Sequence, residues 1–223
     1  MKKLFFVIVI ACSILSAQTP KILLGIDVLE RDNFSILSGK RVGLITNQTG
    51  VDGKLVPTLD LFKKAKNFDL VATFSPEHGL RGNYGAGEKF SDNYDSTNGI
   101  KHFSLYGATR KPTPEMLKGI DVLVYDIQDI GCRAYTYIST MGLAMEAAAE
   151  NNIEFVVLDR PNPLGGLRVE GSIVEDDFIS FVSQYKIPYV YGLTCGELAR
   201  LLNEEGMLSS GLKCKLNIVK MDG

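Results

Sequence analysis

Asp121–Tyr125 (DVLVY), running directly into Asp126–Asp129 (DIQD), is the stretch whose reading decides the fold. A short, almost unbroken apolar run rich in β-branched residues and bounded by charges reads as a strand buried on both faces. Working outward, Glu154–Leu158 (EFVVL), Asp69–Phe74 (DLVATF) and Arg41–Thr46 (RVGLIT) repeat that pattern. His102–Tyr106 and Lys215–Lys220 (KLNIVK) repeat it more weakly. Amphipathic segments lie between them. Val56–Lys66 sets Leu59, Phe62 and Ala65 on one face, and Tyr137–Asn151 is rich in Ala and Met, which suits close packing on a sheet. Gly196–Glu205 has Thr194 as N-cap, with Glu197 three residues on as its capping-box partner. Strands alternating with helices predict an α/β fold: a Rossmann-like, mostly parallel sheet with helices on both faces.

Composition narrows the class. Of 223 residues, 45% are hydrophobic and 22% charged, which excludes long disorder, collagen and coiled coil. Lys+Arg 24 against Asp+Glu 26, with no basic block, argues against nucleic-acid binding through phosphate neutralisation. Lys2 and Lys3, the apolar run Leu4–Leu15 and the small residues Ser16 and Ala17 read as a secretory signal peptide over residues 1–17. A second reading takes Val9-Ile10-Ala11-Cys12 as a lipoprotein site, with Cys12 the lipid acceptor and the sole expected link to a membrane. Either way an exported protein, periplasmic or secreted, is expected, with residues 22–223 as its folded part. Cys132, Cys195 and Cys214 are expected as buried small apolar residues; a Cys195–Cys214 disulfide is the alternative.

In open parallel sheets, ligands bind outside the carboxyl ends of the strands. Each of the four clear strand patterns here ends in polar residues: Thr46–Thr49, Ser75–Gly79, Asp126–Asp129 with Arg133 and Tyr135 behind, and Asp159–Pro163. A parallel sheet would bring all four to one rim. Glu77 and His78 follow Pro76, and the segment Leu80–Gly99 after them has no periodicity. That segment is either a binding loop or a surface insertion. A Glu desolvated beneath a loop gains a pKa suited to general acid work. Asn47-Gln48-Thr49 fits a glycosylation sequon, but hydrogen bonding of a ligand by the amides is preferred. Asp126, Asp129 and Asp159 beside Arg133 and Arg160 are either catalytic or loop-locking pairs. Gly85 and Gly87 make no dinucleotide fingerprint, and there is no phosphate loop, so no cofactor is expected. The two histidines, His78 and His102, fit no metal-binding spacing, so no metal is expected either.

These motifs, in this order, resemble a known family. They are Thr46-Asn47 with Thr49-Gly50, Phe74–Gly79 (FSPEHG), Ser104–Gly107 (SLYG), Asp126–Gly131 (DIQDIG) through Arg133, Tyr135 and Tyr137, Asp159–Pro163 (DRPNP) and Tyr191–Leu198 (YGLTCGEL). Together they look like the exo-β-N-acetylmuramidase family (NamZ type, glycoside hydrolase family 171) over about residues 22–223. The resemblance implies release of N-acetylmuramic acid from the non-reducing ends of peptidoglycan fragments such as MurNAc–GlcNAc. It implies a Rossmann-like N-terminal domain, with the site in a cleft against a smaller C-terminal domain that this chain lacks. By motif it makes Glu77 the leading catalytic carboxylate with His78 beside it. Asp126, Gln128, Asp129, Arg133, Asp159, Arg160 and Asn162 become candidates for the rest of the site.

Glycosidic cleavage needs an acid for the departing oxygen and a group opposite to meet the charge developing on the sugar. Glu77 is the expected acid or acid/base, and Asp126 or Asp129 its partner. Asn47, Gln128, Arg133, Tyr135, Asp159, Arg160 and Asn162 are expected to bind substrate. Arg133 or Arg160 would take the lactyl carboxylate, and Tyr84 or Tyr94 would stack on a sugar face. Two other readings compete: an exported sugar-binding protein without catalysis, and a metal-dependent hydrolase.

Overall fold

The computed structural model describes residues 22–89, 91, 93–95 and 100–223; the expected signal peptide, Cys12 and the side chain of Tyr94 lie outside them. Among the described residues seven strands form one sheet: β1 (Arg41–Thr46), β2 (Asp69–Ser75), β3 (Asn93–Asp95), β4 (Ile100–Ser104), β5 (Val122–Asp126), β6 (Glu154–Leu158) and β7 (Lys215–Val219). Their order is β3-β4-β2-β1-β5-β6-β7. Every pairing is parallel except that of the short edge strand β3 with β4. The six parallel strands, taken in chain order, lie 3-2-1-4-5-6, the doubly wound Rossmann arrangement. The direction of winding reverses between β1 and β5, and there Thr46 lies directly opposite Asp126.

Alternation along each strand feeds two cores. Ile45, Phe74, Leu123, Tyr125, Phe155 and Val157 face α3 (Tyr137–Glu150) and α4 (Cys195–Glu204). Val42, Leu44, Val122, Val124, Val156 and Leu158 face α1 (Gly25–Arg31) and α2 (Thr58–Lys64). The small residues of α3 serve close approach, with Ala144, Ala147 and Ala148 fully buried. At Gly142 a Cβ would fall 1.5 Å from the Tyr185 hydroxyl, so only glycine lets the 159–194 connection press onto that helix.

The helix at Tyr137 and the Thr194–Glu197 capping box stand as the sequence predicts; Thr194 Oγ1 accepts from the Glu197 N–H at 3.1 Å. α2 is shorter than the pattern suggests, because Ala65 already has extended backbone. Two elements carry no periodic signal. α1 is a short helix of about two turns, capped at its start by Asp27, whose Oδ2 accepts from the Leu24 N–H at 2.8 Å. β3 lies inside the stretch Leu80–Gly99, which the sequence reads as aperiodic throughout. Cys132, Cys195 and Cys214 are free thiols, the last two buried. Among the described residues no helix is long and apolar enough to cross a membrane.

Candidate active site

All four polar strand tips reach the carboxyl rim of the sheet, and they divide into two groups. On the β5–β6 side the polar groups satisfy one another. Asp126 is fully buried, and Arg160 grips it with two parallel bonds, Nε to Oδ1 at 2.7 Å and Nη2 to Oδ2 at 2.9 Å. Thr58 Oγ1 also donates to Asp126 Oδ2, and Arg160 Nη2 reaches the Val51 carbonyl at 2.8 Å. Asp159 accepts from the Gly196 N–H at 2.8 Å, its neighbour's N–H at 3.0 Å and Thr194 Oγ1 at 2.9 Å, so it fastens the start of α4 to the sheet. Burial raises its pKa against the pull of those donors.

Asp129 belongs to the same group. Its Oδ2 takes the Gly131 N–H at 2.6 Å and the Tyr191 hydroxyl, while its Oδ1 is buried without a partner. Burial accordingly pushes its carboxyl up, and the Tyr191 hydroxyl and the turn N–H groups oppose the shift. Arg133 spends its Nη1 on the carbonyls of Ser172 at 2.7 Å and Ile187 at 2.6 Å, tying down the long connection. Asn162 bridges the Leu193 carbonyl and the Leu164 N–H, and Gln128 Nε2 donates to the Asp129 and Pro161 carbonyls, each at 2.8 Å. Asn47 is buried, and its Oδ1 accepts from Thr49 N and Oγ1, a local turn that takes the sequon asparagine out of solvent.

On the β2–β4 side the groups are half open. Glu77 is half-buried; its Oε2 accepts from Thr136 Oγ1 at 2.9 Å and its Oε1 from the Gly87 N–H at 2.9 Å. The first bond anchors it to the residue before α3, and the second lays the turn after β2 over it. His78 holds left-handed backbone at φ 71°, where a residue with a Cβ is strained, and Gly79 follows at φ 76°. The His78 ring meets the Tyr84 carbonyl through Nδ1 at 3.0 Å. Tyr135 stands edge-on to Tyr137, with ring centroids 4.8 Å apart.

Two residues that sequence reasoning left out of the site come in beside Glu77. The Tyr106 hydroxyl interacts with both Glu77 and Arg110; burial and the Glu77 carboxylate raise its pKa, and Arg110 opposes them. Tyr106 follows β4, a strand legible only weakly, and no motif announces Arg110. A cavity of about 240 Å³ opens next to this rim, between Thr46–Gln48, Pro57, Leu59, Leu80 and Arg81. Among the described residues no three His, Cys, Asp or Glu side chains converge as metal ligands.

A doubly wound sheet that presents a half-open carboxylate and phenols at its carboxyl rim belongs to the class of α/β folds that bind ligands at that rim. The chain belongs to the family described as exo-β-N-acetylmuramidase NamZ, N-terminal, whose model matches residues 42–223. It is 50% identical, over 206 residues and 92% of its length, to the peptidoglycan β-N-acetylmuramidase NamZ of Bacillus subtilis (strain 168), covering 49% of that protein. Two crystal structures of DUF1343 family proteins from Bacteroides fragilis superpose on it. One has TM-score 0.83 and 65% identity, with 91% of this chain and 50% of that one covered. The other has TM-score 0.78 and 37% identity, with 91% and 52% covered. The chain thus spans about half the length of the relatives it matches.

Proposed function

We propose that this chain carries the acid-bearing half of an exported exo-acting glycosidase that releases N-acetylmuramic acid from the non-reducing ends of peptidoglycan fragments. The observation that carries the reading is the setting of Glu77. It is a carboxylate on the ligand-binding rim, fixed through one oxygen to Thr136 and covered by the turn that carries Gly87. It stands in a chain half identical to a named peptidoglycan β-N-acetylmuramidase. In this reading Glu77 protonates the departing glycosidic oxygen, and the strained His78 peptide holds the carboxylate's approach. Asp126 and Asp129 act as the floor rather than as the opposing group, because Arg160 and Thr58 occupy both oxygens of Asp126, and Asp129 is buried with its Oδ2 bound to Tyr191 and the Gly131 N–H. Arg160 and Arg133 support that floor through their bonds to Asp126 and to backbone carbonyls. The basic head and apolar run of residues 1–17, or lipid attachment at Cys12, would carry the protein out of the cytoplasm.

The test incubates the protein in its longest natural form with a MurNAc–GlcNAc disaccharide and assays free muramic acid. Release by the wild type, reduced at least ~10²-fold by Glu77→Gln, is the expected result. Tight binding with no released sugar would instead mark a sugar-binding protein. Activity abolished by a chelator and restored by a divalent ion would mark a metal-dependent hydrolase. Mass spectrometry of the mature N-terminus separates cleavage after Ala17 from lipidation at Cys12.

A further inference from the structure

The arginines near the rim are committed very differently. Arg160 commits its Nε and one Nη to Asp126 and the Val51 carbonyl, and Arg133 commits its Nη1 to two backbone carbonyls, so both are buried and spend most of their donors inside the protein. Arg110 is held in another way. Its guanidinium carbon lies 4.3 Å from the ring centroid of Phe181 and 5.2 Å from that of Tyr106, and the two rings are 6.1 Å apart. Phe181 comes from the connection between β6 and α4 and Tyr106 from the end of β4, so two distant segments position one cation.

The neighbouring lysine shows the contrast. Lys111 is bound to Glu146 at 3.3 Å and Glu150 at 2.6 Å, both on α3. Thr109 Oγ1 fixes the turn between them, accepting from the Lys111 N–H at 3.2 Å and donating to the Lys111 carbonyl at 2.7 Å. Arg110 makes no salt bridge with any carboxylate among the described residues, although the Tyr106 hydroxyl beside it also interacts with Glu77. Aromatic rings hold a guanidinium by its π-face, and that contact leaves most of the in-plane N–H edge unspent. Arg110 is exposed, so a planar fork resting on two rings with its N–H edge toward solvent can meet a carboxylate with two parallel bonds.

We propose that Arg110, clamped by Phe181 and Tyr106, is the specificity residue that binds the carboxylate of an acidic sugar placed against Glu77. The assignment rests on the glycosidase reading for its substrate, and it replaces Arg133 and Arg160 in the role of lactyl-carboxylate receptor. Tyr106 would then lie between recognition and chemistry, since its phenol feels both the Glu77 carboxylate and the Arg110 cation.

Calorimetric binding tests this without turnover. The protein in its longest natural form is titrated with N-acetylmuramic acid and with its lactyl methyl ester, which keeps the sugar and removes the charge. Wild type should prefer the acid by about 10- to 100-fold, the range of a charge-assisted bidentate contact. Arg110→Gln should bring the acid-to-ester ratio to about one, Arg110→Lys should restore part of it, and Phe181→Ala should lower it by loosening the clamp. In parallel, kinetics on the disaccharide and its lactyl ester should place the Arg110→Gln loss in KM for the acid rather than in kcat. An acid-to-ester ratio the same in Arg110→Gln as in wild type would overturn the proposal. Failure of wild type to cleave either disaccharide would overturn the glycosidase reading, while the binding ratio would still decide the role of Arg110.

Discussion

Two sides of one rim, the β5–β6 tips and the β2–β4 tips, are built from the same residue types and treat them in opposite ways. At the first, Asp126, Asp129 and Asp159 are buried and face Arg160, Tyr191 and the start of α4, so their charge is used up inside the molecule. At the second, Glu77 is half open, His78 sits on left-handed backbone and Arg110 rests on rings rather than on a carboxylate. Neutralised clusters hold a scaffold in place; a half-committed cluster with stored backbone strain is where a ligand can still gain something. Acidic residues at a strand tip are therefore poor evidence of chemistry until their partners are known.

The largest effect should come from breaking the closed side. Arg160→Met leaves the Asp126 carboxylate buried with Thr58 as its remaining side-chain partner, and urea denaturation should show a loss of about 3–5 kcal/mol. Next, Glu77→Gln should leave the unfolding free energy in urea within about 0.5 kcal/mol of wild type while cutting turnover at least ~10²-fold. If the stability change fell on Glu77 and the activity change alone on Arg160, the division of the rim would be inverted. Smaller again, Tyr191→Phe takes a donor from a carboxylate that already has one unpartnered buried oxygen, and should cost about 1–3 kcal/mol with little change in activity.

The smallest effect sharpens the electrostatic contrast through pH. Asp121, at the amino-terminal end of the central strands, is held at about 2, below its ordinary 3.8, first by hydrogen bonds from the Arg41 side chain and backbone. A depressed carboxyl contributes stability that is present above its ordinary pKa and lost as pH falls from about 4 through about 2. Because that pair is largely exposed, the contribution should stay under about 1 kcal/mol and shrink with salt. The stability gap between wild type and Asp121→Asn should therefore close as the pH is lowered across that window. Asp129 and Asp159, raised by burial, carry the opposite sign: their contribution is complete below the ordinary carboxyl range and weakens as pH rises through it.

How far the sequence reveals all this follows from how local each signal is. Strands such as Asp121–Tyr125 are legible because burial on both faces writes itself into consecutive residues, and the Thr194–Glu197 box because its partners lie three apart. The parallel arrangement then follows from alternation with helices, and it delivers the common rim. Which rim residues cancel one another is not local. Asp126 meets Arg160 thirty-four positions on and Thr58 sixty-eight back, a match made by strand register. The trio Tyr106, Arg110 and Phe181 is likewise assembled across the fold, and its members have no spacing to betray them. α1 escapes notice because seven residues, about two turns, are too few to establish a helical periodicity.

The Asp126–Arg160 pair has a meaning for how the chain finds its topology. Its members sit on the ends of adjacent strands, and its third partner belongs to the helix that crosses from β1 to β2. A misordered sheet would still be greasy enough to collapse, but it would strand an aspartate or a guanidinium alone in the interior. The ion pair thus acts as a proofreader of strand order, penalising every miswired arrangement far more than it rewards the right one.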